Sequence, residues 1–129
     1  ESLVMDNPEQ SAHILGKLRQ LGIGLSLDDF GTGYSSLAYL TRFPFDTIKI
    51  DKSFIDDSSP KRSVLLRSMV NMAHDLGLSV VAEGVADEND ALELRQMGCE
   101  YVQSFLFGPP IQADAAMKLL KEQFPLVQA

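Results

Sequence analysis

The stretch LSLDDFGTGYSSL, residues 25–37, joins an apolar strand to two adjacent acids and a glycine-containing loop. Leu25 and Leu27 indicate a buried strand, and Asp28 and Asp29 follow where that strand runs out. In parallel α/β proteins, ligands bind beyond the carboxyl ends of the strands. The position of these carboxylates therefore predicts a ligand or metal site, provided that the rest of the chain builds a parallel sheet.

Helical and strand-like periods alternate along the rest of the chain. The predicted helices cover residues 8–22, 60–77, 87–98 and 112–124, and the predicted strands cover 23–27, 45–50, 78–85 and the start of 100–108. Ser59 is expected to cap the long helix, with Pro60 in its first turn. Strands this apolar should be buried on both faces, which favours parallel pairing through helical crossovers. The expected fold class is α/β, with about four parallel strands alternating with helices.

Composition limits the function classes that remain open. The net charge of −7 argues against binding a nucleic-acid polymer, although metal ions held by carboxylates can still collect a small phosphate ligand. No apolar run approaches the ~18 residues of a membrane span. The single cysteine, Cys99, is interpreted as a packing residue and fits a reducing, cytoplasmic compartment. The opening ESLVMDNPEQ is interpreted as a piece of a longer protein, which could be membrane-anchored elsewhere.

Each predicted strand presents polar residues near its carboxyl end. In chain order these residues are Asp28 and Asp29, then Lys49 and Asp51, then Glu83, then Gln103. Hard oxygen ligands of this kind suit Mg²⁺ or Mn²⁺, and adjacent carboxylates can bridge two such ions. Lys49 would neutralise a developing negative charge or hold a water molecule in place.

Structural explanations are open for each of these residues. An acid after a strand often caps the next helix, and adjacent acids on a strand alternate faces, so one of the two could point to solvent. Lys49 could form a salt bridge with Asp51 or Asp28. Glu83 could belong to a buried ion pair, and Gln103 could be structural.

The loop that follows the acids has an adaptable composition. Gly31 and Gly33 would let it fold over the site, and Tyr34, Ser35 and Ser36 would pack or cap as it closes.

Four segments carry a family resemblance: DDFGTGYSSL (28–37), FPFDTIKIDKSFI (43–55), VVAEGV (80–85) and QSFLFGPPI (103–111). In order and spacing they resemble the second half of the EAL domain, the cyclic di-GMP phosphodiesterase family of bacteria. The resemblance implies a modified TIM barrel of which residues 1–129 form the C-terminal half, with the E-A-L strand before residue 1. It also implies hydrolysis of cyclic di-GMP to linear pGpG, with two Mg²⁺ or Mn²⁺ ions per complete site.

The same resemblance implies roles for individual residues. Asp28, Asp29 and Glu83 match metal ligands, with Asp29 as the bridge. Catalytic roles fall to Lys49, near the attacking water, and to Glu83 and Gln103. The loop that couples the site to dimerisation is matched by Phe30, Gly31, Thr32, Gly33, Tyr34, Ser35, Ser36 and Leu37. Glu1 matches the acid that anchors this loop.

Departures from the family pattern leave alternatives open. Ala86 stands where an acid is usual, and Ser104, Phe105 and Pro109 stand where Gly, Tyr and a basic residue are common. The whole protein would be the enzyme or a degenerate receptor that binds cyclic di-GMP without hydrolysis; another Mg²⁺-dependent barrel, such as an enolase relative, is a more distant alternative. Four strands cannot close an eight-stranded barrel, so the half alone is expected to be inactive and to pair as a homodimer or with a partner half-barrel.

Overall fold

The computed structural model describes residues 7–32 and 37–123, and within these ranges helices and strands alternate. The strands are β1 (Ser26–Phe30), β2 (Thr47–Ile50), β3 (Ser79–Glu83) and β4 (Tyr101–Gln103). The helices are α1 (Pro8–Gln20), α2 (Leu37–Arg42), α3 (Lys52–Ile55), α4 (Arg62–Asp75), α5 (Glu88–Gln96) and α6 (Ala113–Gln123). Neighbouring strands pair in parallel in the order β1-β2-β3-β4. The predicted fold class is therefore confirmed.

Strand β1 begins at Ser26, later than the predicted residues 23–27, and it contains both acids. The Leu25 N–H donates to Asp46 Oδ2 at 2.8 Å, and the Asp46 N–H donates to the Leu25 carbonyl at 2.8 Å. This exchange ties Leu25 to the segment before β2, so that the regular pairing starts with Ser26 opposite Thr47. A strand was correctly predicted here, but its bounds of 23–27 were wrong, because they included the apolar lead-in and omitted the acids.

The sheet buries one face more completely than the other. Ile48 and Ile50 of β2 and Val80 and Ala82 of β3 have no exposed surface. The alternating residues of β2 and β3 on the opposite face are only half-buried. The fully buried face belongs to one apolar cluster with residues of α4 and α5, as expected for crossover helices. Burial on both faces was predicted, but only the face that packs against the helices is fully buried.

Helix α4 begins at Arg62, after the predicted cap Ser59 and the predicted first-turn residue Pro60. The Ser59 N–H and hydroxyl donate to the Asp57 carboxylate at 2.9 and 2.7 Å. These bonds occupy Ser59 in a turn before the helix, and the actual cap residue, Lys61, makes no side-chain capping bond. The predicted start was wrong because a local turn competes for the same serine.

Arg62 joins three elements through a partly buried ion network. Its guanidinium lies 2.6 Å from Asp90 Oδ1 and 2.5 Å from Glu93 Oε2, both on α5, and its side chain is 15% exposed. Its Nε also donates to the carbonyl of Ile55 at 2.6 Å. Hydrogen bonds from Ser63 first and Arg62 second hold the pKa of Glu93 below its usual value. The network fixes α4 against α5 and against the end of α3.

Helix α6 is amphipathic, yet Met117 and Leu120 on it are about half exposed, at 54% and 52%.

Across the described ranges, no helix combines the length and the apolar character needed to cross a membrane.

Candidate metal and nucleotide site

A β-bulge brings the two adjacent acids together at the end of β1. The register between β1 and β2 slips between Leu27 and Phe30, so that Asp28 and Asp29 lie opposite the single residue Lys49. Asp29 has a positive φ of 54°, in the left-handed region that Asp adopts more readily than most residues. Bulges redirect side chains in this way. The regular alternation, which could have sent one carboxylate to the other face, is therefore interrupted, and both aspartates lie exposed at the same rim.

Asp28, Asp29 and Glu83 form a carboxylate cluster, which we call the acid cluster. One carboxylate oxygen from each of the three lies within 4.8 Å of the others. Glu83 ends β3, two strands away from the aspartates, and its side chain is 18% exposed against 58% for Asp28. The parallel order of the sheet delivers all three to one rim, as the sequence predicted.

Lys49 supplies the positive charge of this rim. Its Nζ lies 3.0 Å from Asp28 Oδ1 and forms an ion pair with Glu83, and its side chain is 22% exposed. The pKa of Lys49 is raised, chiefly by the hydrogen bond with Glu83, with Asp28 adding to the effect and partial burial opposing it. The salt bridge that was considered for Lys49 therefore exists, and it belongs to the acid cluster.

Asp51 does not join the acid cluster. It is the N-cap of α3, and its carboxylate accepts a hydrogen bond from the Ser53 N–H at 2.9 Å and another from the Ser53 hydroxyl. These bonds hold the pKa of Asp51 below its usual value. One of the candidate acids, Asp51, therefore caps a short helix that was not predicted from the sequence.

Gln103 lies beside Glu83, since the two are register partners in β3 and β4. Its carbonyl accepts a hydrogen bond from the Gly84 N–H at 2.9 Å, which continues the pairing past the end of β3. The residue is exposed at the rim of the site.

A pocket of about 500 Å³ opens next to the acid cluster. Its walls include Lys52, Glu83 and Gly84 on one side, and Gln103, Ser104 and Phe105 on the other. Gly84 has a φ of +70°, and a Cβ there would lie 2.7 Å from the Cβ of Lys52. This pocket was not predicted from the sequence. The feature that could have indicated it is the glycine and proline content of residues 103–111, which ends β4 early.

The described start of the loop after β1 is closely packed. Phe30 is buried, and Gly31 has a φ of +97° at a place where a Cβ would lie 2.6 Å from the ring of Phe54. The Thr32 hydroxyl and N–H both donate to the Asp29 carbonyl, at 2.9 and 3.2 Å. The remaining residues predicted to act with this loop, Glu1, Gly33, Tyr34, Ser35 and Ser36, lie outside the described residues.

The acid cluster fits a hard divalent cation. It offers carboxylate oxygens from three residues on one rim, which is the ligand type that Mg²⁺ and Mn²⁺ prefer. The adjacent pocket shares Glu83 with the cluster, so a ligand in the pocket would lie next to a bound cation.

Comparison with known proteins places the chain in a family. The chain is 45% identical over 123 residues to the cyclic di-GMP phosphodiesterase NbdA of Pseudomonas aeruginosa, covering 94% of this chain and 16% of that protein. The solved EAL domain of Mycobacterium smegmatis DcpA matches with a TM-score of 0.86 and 40% identity, over 95% of this chain and 56% of that one. A calcium and cyclic di-GMP complex of Klebsiella pneumoniae BlrP1 matches with a TM-score of 0.73 and 39% identity, over 82% of this chain and 27% of that one.

The chain thus spans less than two thirds of the length of each of these relatives, from 16% to 56%. The family model of the EAL domain matches residues 1–110, which is most of the 129 residues. On this match, the chain belongs to the EAL domain family.

Proposed function

We propose that this chain is part of a metal-dependent phosphodiesterase that hydrolyses cyclic di-GMP to pGpG. The observation that carries the proposal is the acid cluster, in which Asp28, Asp29 and Glu83 converge beside Lys49. Family membership supplies the substrate class, because relatives such as NbdA are cyclic di-GMP phosphodiesterases.

Asp28, Asp29 and Glu83 would hold Mg²⁺ or Mn²⁺. When bound, such an ion supplies Lewis-acid stabilisation of a phosphoryl oxygen and lowers the pKa of water. The Lys49 ammonium, which the two acids hold at the rim, would orient a water molecule or offset negative charge on the phosphodiester. Gln103, at the same rim, would fix the orientation of the substrate by hydrogen bonding.

The pocket beside the acid cluster would receive a nucleotide portion of the substrate. Phe105 is 80% exposed and forms part of its wall, so it offers an aromatic face to a planar base. Pro109 and Pro110 contribute further rigid apolar surface. A phosphate of the same molecule would then reach the rim through Glu83, which the pocket and the acid cluster share.

We further propose that the chain is the C-terminal half of an EAL barrel. Within the described residues, β1 and β4 are the edges of a four-stranded parallel sheet, and Tyr101 on β4 is 60% exposed. Open edges of this kind invite further strands, and eight are needed to close the barrel. The rest of the EAL barrel would occupy these edges, and a second copy of the half would be the alternative occupant.

The test of the function uses the complete EAL domain that contains this chain, incubated with cyclic di-GMP and Mn²⁺. Formation of pGpG is expected, and Asp29→Asn should reduce the rate by orders of magnitude. Asp75→Asn, which changes an exposed acid at the end of α4, is the matched control and should be neutral.

Binding of cyclic di-GMP without turnover would replace this proposal with the alternative of a degenerate receptor. Turnover by Asp29→Asn at the unmodified rate would refute the metal assignment.

A further inference from the structure

The hydroxyl of Ser104 joins two loops that follow different strands. It donates a hydrogen bond to the carbonyl of Val85, in the segment after β3, and it accepts one from the Leu106 N–H at 2.9 Å, in the segment after β4. The single proton of the hydroxyl and one of its two acceptor lone pairs are therefore used within the protein. Because its proton is held by the Val85 carbonyl, Ser104 connects the two loops whether or not a ligand is bound.

Regular strand pairing stops just before Ser104. The last register pair of β3 and β4 is Glu83 with Gln103, and one further backbone bond joins the Gly84 N–H to the Gln103 carbonyl at 2.9 Å. Beyond that point, the Ser104 hydroxyl takes the place of a backbone group and extends the connection to Val85. The two loops are thus held together where the sheet has ended.

Both loops form walls of the pocket beside the acid cluster. Gly84 and Glu83 stand on the β3 side, and Phe105 stands on the β4 side directly after Ser104. Because Phe105 lies between the two bonded positions 104 and 106, its backbone is restrained from both sides. Restraining a binding wall before the ligand arrives reduces the entropy that binding must offset.

We propose that Ser104 is a positioning residue that locks the β3 and β4 loops into one pocket wall and so strengthens nucleotide binding. The part about the nucleotide rests on the proposed function. Glycine, which is common at this place in the family pattern, has no hydroxyl and would leave the two loops joined by backbone bonds alone.

The experiment compares Ser104→Ala, Ser104→Gly and Ser104→Thr in the complete EAL domain. Ser104→Thr keeps the hydroxyl and is the rescue variant. Ser68→Ala is the matched control, because it removes a serine-to-carbonyl hydrogen bond (Ser68 to Val64, 2.8 Å) on α4, away from this pocket. Two quantities are measured: hydrogen exchange at the Leu106 amide without ligand, and the Kd for cyclic di-GMP in Ca²⁺.

Loss of the hydroxyl should accelerate exchange at the Leu106 amide by roughly tenfold, since one net hydrogen bond protects it. Ser104→Ala and Ser104→Gly should also weaken cyclic di-GMP binding several-fold and raise KM while leaving kcat nearly unchanged. Ser104→Thr and Ser68→Ala should resemble the unmodified domain in both measurements.

Unchanged exchange at Leu106 in Ser104→Ala would overturn the locking role. Faster exchange with an unchanged Kd would overturn the effect on binding. If the unmodified domain bound no cyclic di-GMP, the proposed function would fail, and the exchange measurement would still decide whether Ser104 locks the loops.

Discussion

Asp29 carries a carboxylate of the acid cluster on a backbone conformation that L-amino acids rarely adopt. Its replacement by glycine should therefore act in opposite directions on stability and on the proposed metal binding. The residue has a φ of 54° and sits in the bulge between β1 and β2. Glycine adopts this conformation without steric cost, but it removes the carboxylate. We therefore expect Asp29→Gly to stabilise the metal-free domain and to weaken its binding of Mn²⁺.

The magnitude follows from comparing glycine with alanine at the same position. A left-handed conformation costs a residue with a Cβ about 1–2 kcal/mol. Glycine loses more backbone entropy on folding, at a cost of about 0.5–1 kcal/mol. The difference leaves Asp29→Gly about 0–1.5 kcal/mol more stable than Asp29→Ala, with the middle of that range at about 0.75 kcal/mol. Asp29→Asn should fall between them, because Asn tolerates the left-handed region better than Ala.

All three variants remove the same negative charge, so their relative order isolates the backbone contribution from relief of repulsion within the acid cluster. The free energy of unfolding is measured by urea denaturation of the complete domain in the presence of EDTA, and Mn²⁺ binding is measured by calorimetry. All three should bind Mn²⁺ at least tenfold more weakly than the unmodified domain. An Asp29→Gly variant less stable than Asp29→Ala would show that the positive φ at this position is not what sets its stability.

Three further predictions concern the scaffold around the site. Arg62→Ala should lower the free energy of unfolding by about 2–3 kcal/mol, because it removes the guanidinium that bridges two partly buried carboxylates. Arg67→Ala removes an exposed cation that acts on Glu93 only through space, so it should cost far less, and equal costs would contradict the network. The pKa of Glu93 is lowered, first by the Ser63 hydrogen bond. Its stabilising contribution is therefore present above its unfolded pKa near 4.5 and is lost as the pH falls through the folded value. In Glu93→Gln, the free energy of unfolding, measured by urea denaturation at each pH, should fall less steeply across that window. Gly84→Ala should lower the free energy of unfolding by about 2 kcal/mol, because of the positive φ and the close approach of Lys52, or else distort the pocket wall. Thermal melting measures the first effect, and cyclic di-GMP binding measures the second.

The elements with strong periodic patterns were predictable, and those decided by local competition were not. Helix α5 was predicted from Asp87 as its cap and Gly98 as its stop, and Asp87 indeed accepts bonds from the N–H groups of Asn89 and Asp90. The short helix α3 was missed, because four residues carry no helical period and only the capping bond to Ser53 marks its start. Leu25 looked like strand, but a side chain distant in sequence, Asp46, holds its backbone.

The composition of the site was accessible from the sequence, whereas its geometry depended on pairing between strands. The rule that ligands meet the carboxyl ends of parallel strands selected Asp28, Asp29, Lys49 and Glu83, together with Gln103 at the same rim. It also selected Asp51, which instead caps α3. The bulge that turns both aspartates to one side depends on the register between β1 and β2. The residue pattern of β1 alone therefore cannot predict it. The nearest local hint was that Asp is among the few residues that accept a positive φ.

The charges of the acid cluster bear on how many metal ions these residues can hold by themselves. Three carboxylates and the Lys49 ammonium give a net charge of −2, from −3 and +1. One divalent cation neutralises this charge, and a second would leave an excess of +2 at the rim. We infer that the described residues suffice for one ion. The second ion of the pair that the EAL resemblance implies needs negative charge from another source, namely acids outside the described residues or a phosphate of cyclic di-GMP.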